Sequence, residues 1–340
     1  MSIFKYIQIY TTISLFNNIY YNKHIYINMF IISYPNMLLG GYGDRINGLI
    51  AIKILSKIFN HDFYILWNKE NIVHLFDYEK YNAKNITNIK EIGSNGWCLI
   101  DGGKVRMINY VKNNIQYVDK PYTDKTNENI FPNEHYIFHL NSNICRKIGN
   151  IVGVKITDEE IMSEYENLYT DIFKPTDFFL KKVDNIIKGR TNIVGIQIRC
   201  GDMYMVTNKN EKHNTGLYDH IKRYLTSIKH QCDETMDSSY NIFITSDSYE
   251  PYKICIKIWN TERVIYNNDI IQHLDRKPVD EDISKVFVDS YILSQCTCKM
   301  YISERSNYGV VSALGCTHNN IYDINGDKLS KNKILKSISV

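Results

Sequence analysis

From Met29 onward, short continuous apolar runs alternate with stretches whose apolar residues recur every third or fourth position. The first pattern is that of a buried strand, the second that of a helix with one buried face. Phe30 to Tyr34 reads as a strand, a glycine-rich turn follows at Gly40-Gly41-Tyr42-Gly43, and Ile46, Ile50, Ile54 and Ile58 then recur on one helical face. Phe63 to Trp67 returns as a second strand. Between Asn68 and Gly153 the signals are mixed, with strand-like Trp97 to Asp101 and Tyr136 to Leu140 set among polar loops.

Thr157 followed by Glu160 fits a capping box that opens a helix to about Phe173, and Pro175 stops it before a second amphipathic helix from Phe178 to Lys188. After Gly189 the alternation is regular: strand Ile193 to Ile198, helix Leu217 to Lys229, strand Asn241 to Thr245, helix Glu250 to Trp259 and strand Arg263 to Tyr266. Helix Ile283 to Cys296, strand Lys299 to Ser303 and helix Asn307 to Gly315 complete the series. Alternating strands and helices predict an α/β fold, and the second half reads as a doubly wound nucleotide-type domain. The expected organisation is a weakly structured extension over 1–28, an N-terminal α/β domain over 29–175, a C-terminal Rossmann-like domain over 176–325 and a tail over 326–340. Met29 directly precedes the first strand, so a translation start there is an alternative to Met1.

Composition narrows the function classes. The 340 residues carry 40 Lys and Arg against 37 Asp and Glu, a formal charge of +3 without long runs of one sign. A dedicated nucleic-acid binder concentrates basic residues on one face or stripe, so none is expected here. With 44% hydrophobic and 13% aromatic residues the chain can bury real cores, and its apolar runs are strand-sized, well short of a bilayer span. No clean signal peptide is evident, which makes a cytoplasmic protein the default expectation. Eight cysteines without a CxxC pair or Cys/His cluster read as reduced thiols rather than zinc ligands.

Four features fall at strand ends or helix starts, where open α/β sheets bind ligands. Gly41-Tyr42-Gly43-Asp44-Arg45 joins a strand to a helix, and glycines there let backbone N–H groups approach an anion. The turn lacks both the GxGxxG spacing and the P-loop ending, and a plain tight turn is its bland alternative. Gln197-Ile198-Arg199-Cys200-Gly201-Asp202 brings an arginine out of a buried strand, suited either to a phosphate or to a structural pair with Asp202. Thr245-Ser246-Asp247-Ser248 ends a strand in a carboxylate that is either a site residue or a helix N-cap. Asp289 interrupts an apolar helix and needs a partner, and Ser303 and Ser306 follow the next strand.

In this order the four features resemble the fucosyltransferase superfamily that includes the α-1,2-, α-1,6- and protein O-fucosyltransferases. The resemblance runs from about Met29 to Gly315 and is that of a divergent member. It implies a GT-B-like fold of two Rossmann-like doubly wound domains facing a cleft, with GDP-fucose as donor, a glycan or protein-linked sugar as acceptor, inversion at the sugar carbon, and neither a metal nor an obligatory cofactor. Gly41, Gly43, Asp44 and Arg45 look like the loop that approaches the donor pyrophosphate. Gln197 and Arg199 look like the H-x-R-R-x-D motif, whose first arginine binds the β-phosphate, a role that falls on Arg199. Asp247 lies in a segment similar to the family's ATDD, Asp289 matches an aspartate that contacts guanine, and Ser303 and Ser306 fall in the segment closing on the diphosphate.

Gln197 stands where the family has histidine and Cys200 where it has a second arginine. One charge-assisted phosphate bond is worth about 1.5–3 kcal/mol, so its loss costs donor affinity roughly ten- to a hundredfold. Lys209 and Arg305 are candidates to compensate. Asp202, Glu211 and Asp44 are the candidate general bases, with Asp202 alternatively orienting Arg199. A scaffold that binds a sugar nucleotide without turnover, and a transferase using another sugar nucleotide, are the competing expectations.

Overall fold

The structure, a computed structural model of the chain, describes residues 29–34, 41–67, 72, 74–82, 95–100, 104–111, 114–120, 136–138, 145–146, 154–201, 215–237, 239–271, 283–303 and 306–338. The expected extension 1–28, Gly40, Asp202, Lys209, Glu211 and Arg305 lie outside those residues. Two six-stranded sheets organise the described residues, beside a two-stranded antiparallel pair of β3 (Phe76–Asp77) and β8 (Lys174–Pro175). The first runs in the order β2 (Asp62–Trp67), β1 (Met29–Tyr34), β7 (Tyr136–Phe138), β4 (Asn95–Ile100), β5 (Lys104–Val111), β6 (Asn114–Lys120). Its first four strands are parallel and β5 and β6 are antiparallel additions. The pair β5–β6 has no clear counterpart in the sequence pattern, because polar and apolar residues alternate only imperfectly across it.

The second sheet runs β11 (Val264–Ile265), β10 (Asn241–Ser246), β9 (Ile193–Ile198), β12 (Lys299–Ile302), β13 (Ile321–Asp323), β14 (Lys328–Leu329), parallel except for the last pair. All six residues of β9 are buried, as expected of a central parallel strand covered on both faces. From β9 the chain winds outward to β10 and β11, then crosses back to β12 on the opposite side. That reversal leaves a crevice at the carboxyl ends of β9 and β12, the place where doubly wound sheets bind ligands.

The alternation within β9 settles what each face meets. Val194, Ile196 and Ile198 join the apolar cluster under α4 (Thr215–Thr235) and α5 (Glu250–Trp259). Gly195 and Gln197 face the other way, toward α6 (Ser284–Ser294) and α7 (Asn307–Leu314). The larger core is shared between the sheets, with Phe30, Trp67, Phe76 and Phe173 from the N-terminal half packed with Phe287 and Leu314 from the C-terminal half. Trp67, Phe76 and Phe173 each lie within 6.1 Å of the Phe287 ring, centroid to centroid.

α1 (Tyr42–Phe59) is buried over most of its length and fills the space between the first sheet and α7. It starts earlier than the glycine-rich turn suggests, since Tyr42 and Gly43 are already helical. Asp44 closes its first turn by accepting from the Gly41 N–H at 2.9 Å. The predicted capping box of Thr157 and Glu160 opens α2 (Asp158–Glu166). The helix expected to continue to Phe173 instead changes to a wider π turn over Leu168–Ile172, which carries Tyr169 and Asp171 to their partners on α1. Thr176 then caps α3 (Asp177–Ile187) through its side chain. Residues expected as a tail form β14 and α8 (Lys331–Ile338), because Ile334, Leu335 and Ile338 share one buried face. Among the described residues no helix is long and apolar enough to cross a membrane.

Lys53, 4% exposed on α1, pairs with Glu164 at 2.7 Å and with Asp171 at 2.5 Å, and Lys57 also contacts Glu164. Burial works against the Asp171 charge, but Lys53, Tyr81 and Lys80 outweigh it and hold the carboxyl below its usual range. A depressed carboxyl pKa contributes stability above its unfolded value near ~3.9 and loses it as the pH falls through the folded value. Lys53→Met is therefore expected to destabilise the protein at pH 7 by about 3 kcal/mol, as breaking a buried pair does. The difference from wild type should narrow below pH ~4 in denaturant titrations.

The two halves come into backbone contact at Gly43. A Cβ there would lie 2.2 Å from the Asn307 carbonyl carbon and 2.5 Å from the Tyr308 nitrogen, both backbone atoms of α7. Gly43→Ala is expected to force α1 and α7 apart and cost about 1–3 kcal/mol in thermal or denaturant unfolding. Gly315→Ala, whose nearest neighbours would be 3.4 Å away, is the control and should stay near wild type.

Candidate functional site

A cavity of about 290 Å³ opens where the carboxyl ends of the second sheet face the start of α1. Its lining includes Gly41, Gly43, Asp44, Gln197, Arg199, Asp247, Asp289 and Ser306, so eight of the residues singled out in the sequence converge on one space. The amino termini of α1 and α7 both border it. The first N–H groups of a helix have no intrahelical acceptor, and the aligned peptide dipoles make that end positive.

Arg199 follows β9 with 33% of its side chain exposed, and its Nη1 lies 3.8 Å from Asp247 Oδ2. The candidate partner Asp202 lies outside the described residues, so Asp247 is the carboxylate seen beside the guanidinium. Asp247 is not the N-cap of α5, whose cap residue is Tyr249. Its two oxygens instead accept from the Cys200 N–H at 2.7 Å and the Gly201 N–H at 3.1 Å, fixing the turn that carries Arg199. Gly201 adopts φ +81°, a conformation side chains resist, which lets both N–H groups face one carboxylate. Burial, with the Asp247 charge beside it, pushes the Cys200 thiol up to about 12, so this residue brings no charge to the site.

Gln197 works across the crevice. Its Oε1 accepts from the Ser303 N–H at 3.2 Å and its Nε2 donates to Ser306 Oγ at 3.1 Å. Ser303 Oγ accepts in turn from the Arg199 N–H at 3.0 Å, joining the ends of β9 and β12. Ser303 thus supports the cavity from beneath, while Ser306 caps α7 through the Gly309 N–H. A neutral amide in place of a titrating imidazole binds this turn from both its ends, one acceptor and one donor.

Arg45 is placed elsewhere. It is 1% exposed and its guanidinium carbon sits 5.5 Å from the Tyr34 ring centroid and 5.2 Å from that of Trp67, against the first sheet. Its position one turn into α1 directs it away from the cavity, so the expectation that it meets a pyrophosphate is corrected. Asp44 does line the cavity, and besides capping α1 it accepts from Asn307 Nδ2 at 2.5 Å. These two donors hold it as a link between the halves. A second link runs through Tyr42, whose hydroxyl meets that of Tyr169 at 2.7 Å and accepts from Ser290 Oγ at 3.3 Å.

Asp289, 2% exposed, is partnered through one of its two oxygens. Its Oδ2 accepts from Thr245 Oγ1 and from Lys285 Nζ, each at 2.9 Å. Burial pushes Asp289 up, against the pull of Lys285 and Thr245, and burial likewise opposes the Lys285 ammonium, but the Asp289 charge outweighs it and keeps the lysine cationic. Lys285 and Asn307 are site residues that the sequence pattern did not single out. An opposite charge four positions before Asp289 on an otherwise apolar helix was the available signal for Lys285. Asn307 had none, since its partner is 263 positions away.

No protein-family model and no curated protein matches the chain. Solved structures do. A mutant of Arabidopsis thaliana FUT1 in complex with GDP aligns over 87% of this chain and 70% of its own at 12% identity, with a TM-score of 0.52. POFUT1 in complex with GDP-fucose aligns over 87% of this chain and 97% of its own at 9% identity, also at 0.52. The fucosyltransferase NodZ from Bradyrhizobium aligns over 89% and 97% at 10% identity, with a TM-score of 0.48. With two largely parallel sheets bordering one cleft and the first two of these alignments spanning most of the chain, the protein has the GT-B architecture of the fucosyltransferases.

Proposed function

We propose that the protein is a glycosyltransferase that moves L-fucose from GDP-fucose to a sugar hydroxyl with inversion. The observation that carries this is the convergence of Arg199, the amino termini of α1 and α7, and the buried Asp289 on one cavity at the switch point of the second sheet. Each answers a demand of a nucleoside diphosphate sugar. The leaving diphosphate develops charge as the sugar approaches an oxocarbenium-like state, and fixed donors aimed at that charge lower the barrier most effectively. Arg199 supplies a cation held by the Asp247 turn, and the helix termini supply N–H groups in place of a metal. The two solved structures at TM-score 0.52 carry GDP and GDP-fucose, which supports the same donor here.

Asp202 follows the Arg199 turn by three residues and is proposed either to orient that arginine or to take the acceptor proton. Asp44 is less suited to the second task, because Gly41 N–H and Asn307 Nδ2 already occupy its oxygens. One observation favours a second reading: Cys200 is buried and neutral where the family places an arginine, so a scaffold that binds the nucleotide without turnover is the alternative. Release of GDP from GDP-fucose, with or without added acceptor, separates the two.

Calorimetric titration of the purified chain is expected to show GDP and GDP-fucose binding in preference to UDP and ADP, unchanged by a chelator. Arg199→Ala should weaken GDP roughly ten- to a hundredfold, the value of one charge-assisted bond of about 1.5–3 kcal/mol. Preference for UDP, or loss of binding on chelation, would overturn the donor or the metal-independent part respectively.

A further inference from the structure

Three carboxylates line the cavity, and among the described residues only two of them face a cation. Asp247 has the Arg199 guanidinium 3.8 Å away, and Asp289 has the Lys285 ammonium at 2.9 Å. Asp44 is held by neutral donors, the Gly41 N–H at 2.9 Å and the Asn307 side-chain amide at 2.5 Å. Among the described residues no lysine, arginine or histidine forms an ion pair with it. Gly41 is the cap of α1 and Asn307 is the first residue of α7, so the Asp44 carboxylate sits where the amino termini of the two helices meet. A neutral donor fixes a carboxylate without cancelling its formal charge, and the partial charge of a helix end, about half a unit, offsets only part of it.

That junction is also where the donor-site reading places a diphosphate, because helix termini and Arg199 converge there. The charge such a nucleotide brings depends on whether it carries a sugar. In the sugar-bearing form the β-phosphate is a diester with a single charge. In the free diphosphate it is a terminal group whose second ionisation lies near pH ~6, so above that pH it carries nearly one charge more. Transfer creates that charge: the bond between the sugar carbon and the β-phosphate oxygen breaks and its electron pair stays on the oxygen, while the acceptor oxygen bonds to the carbon and gives up its proton. We propose that Asp44 is a specificity-determining residue that sets the donor apart from the product, its uncompensated charge weighing against the free diphosphate more than against the sugar-bearing form. Arg199 draws a diphosphate in, and Asp44 limits how tightly the product is kept. The inference rests on the donor-site reading given above and adds to it what favours release.

The test is calorimetric titration of the full chain and of Asp44→Asn with GDP and with GDP-fucose, at pH ~8 and low salt. The substitution keeps the shape of the side chain and removes its charge. With each ligand charge near the junction contributing about threefold, Asp44→Asn should tighten GDP-fucose by about threefold and GDP by about tenfold. The difference between the two ligands should shrink as added salt screens the charges. A carboxylate that only caps α1 would lower the melting temperature of the variant yet leave the ratio of GDP to GDP-fucose affinity unchanged, and that result overturns the proposal. Should Asp44→Asn fail to fold, wild type alone decides: GDP held more than about tenfold tighter than GDP-fucose overturns it. Binding of both nucleotides with a common shift removes this inference alone. Absence of binding by either nucleotide would remove the donor-site reading itself, and this inference with it.

Discussion

The backbone contact between Gly43 and Asn307 is the constraint on which the cleft depends. Helix α1 begins beside the first sheet and α7 beside the second, and only a residue without a Cβ lets their first turns touch. Close approach places the positive amino termini of two helices around one space, where their partial charges add. Asp44 bridges the same junction to Asn307, and Tyr42 reaches Ser290 and Tyr169 just beneath it. Aromatic packing of Tyr42, Phe76 and Trp67 on Phe287 continues the contact into the shared core. Site geometry and domain packing are thus one feature, and a change that opens the junction loosens both.

Three carboxylates line a cavity suited to an anion, and the structure shows how that conflict is resolved. Asp44 is occupied by a backbone N–H and an amide, Asp247 by two backbone N–H groups with Arg199 alongside, and Asp289 by a hydroxyl and an ammonium. Each carboxylate spends its charge on organising a turn or a helix, in a low-dielectric setting where such bonds are strong. Gln197 does the corresponding work without charge, binding Ser303 and Ser306 together. Its seat requires Gly309, since a Cβ there would lie 2.4 Å from the Gln197 amide oxygen.

Much of this architecture is legible in the order of residues along the chain. The strand Ile193 to Ile198 and the helix Glu250 to Trp259 have the bounds their patterns predict, because buried parallel strands and amphipathic helices write their periods directly into the sequence. An arginine at the end of such a strand had to meet an anion or a carboxylate, and Arg199 meets Asp247 at the mouth of the cavity. Asp247 itself was ambiguous: a carboxylate before a helix is commonly a cap, and the sequence does not reveal that Cys200 and Gly201 compete for it from 46 or more positions away. Arg45 adjoins the glycine turn yet points into Tyr34 and Trp67, because a helix rotates each residue 100° from the last and adjacency in sequence is not adjacency on a face.

Sequence by itself determined the alternation of strands and helices, the glycines at the start of α1 and the burial of a charge on α6, since each follows from local periodicity or from the cost of desolvating one group. Tertiary structure alone decided which of these meet. Whether Asp44 reaches Asn307 across 263 positions, and whether Lys53 finds Asp171 across 118, is set by sheet order and by how closely helices pack, quantities that no window of the chain contains. Hydrogen bonds act over about 3 Å, so the partners of a buried polar residue are fixed only once the backbone has brought distant segments to that separation.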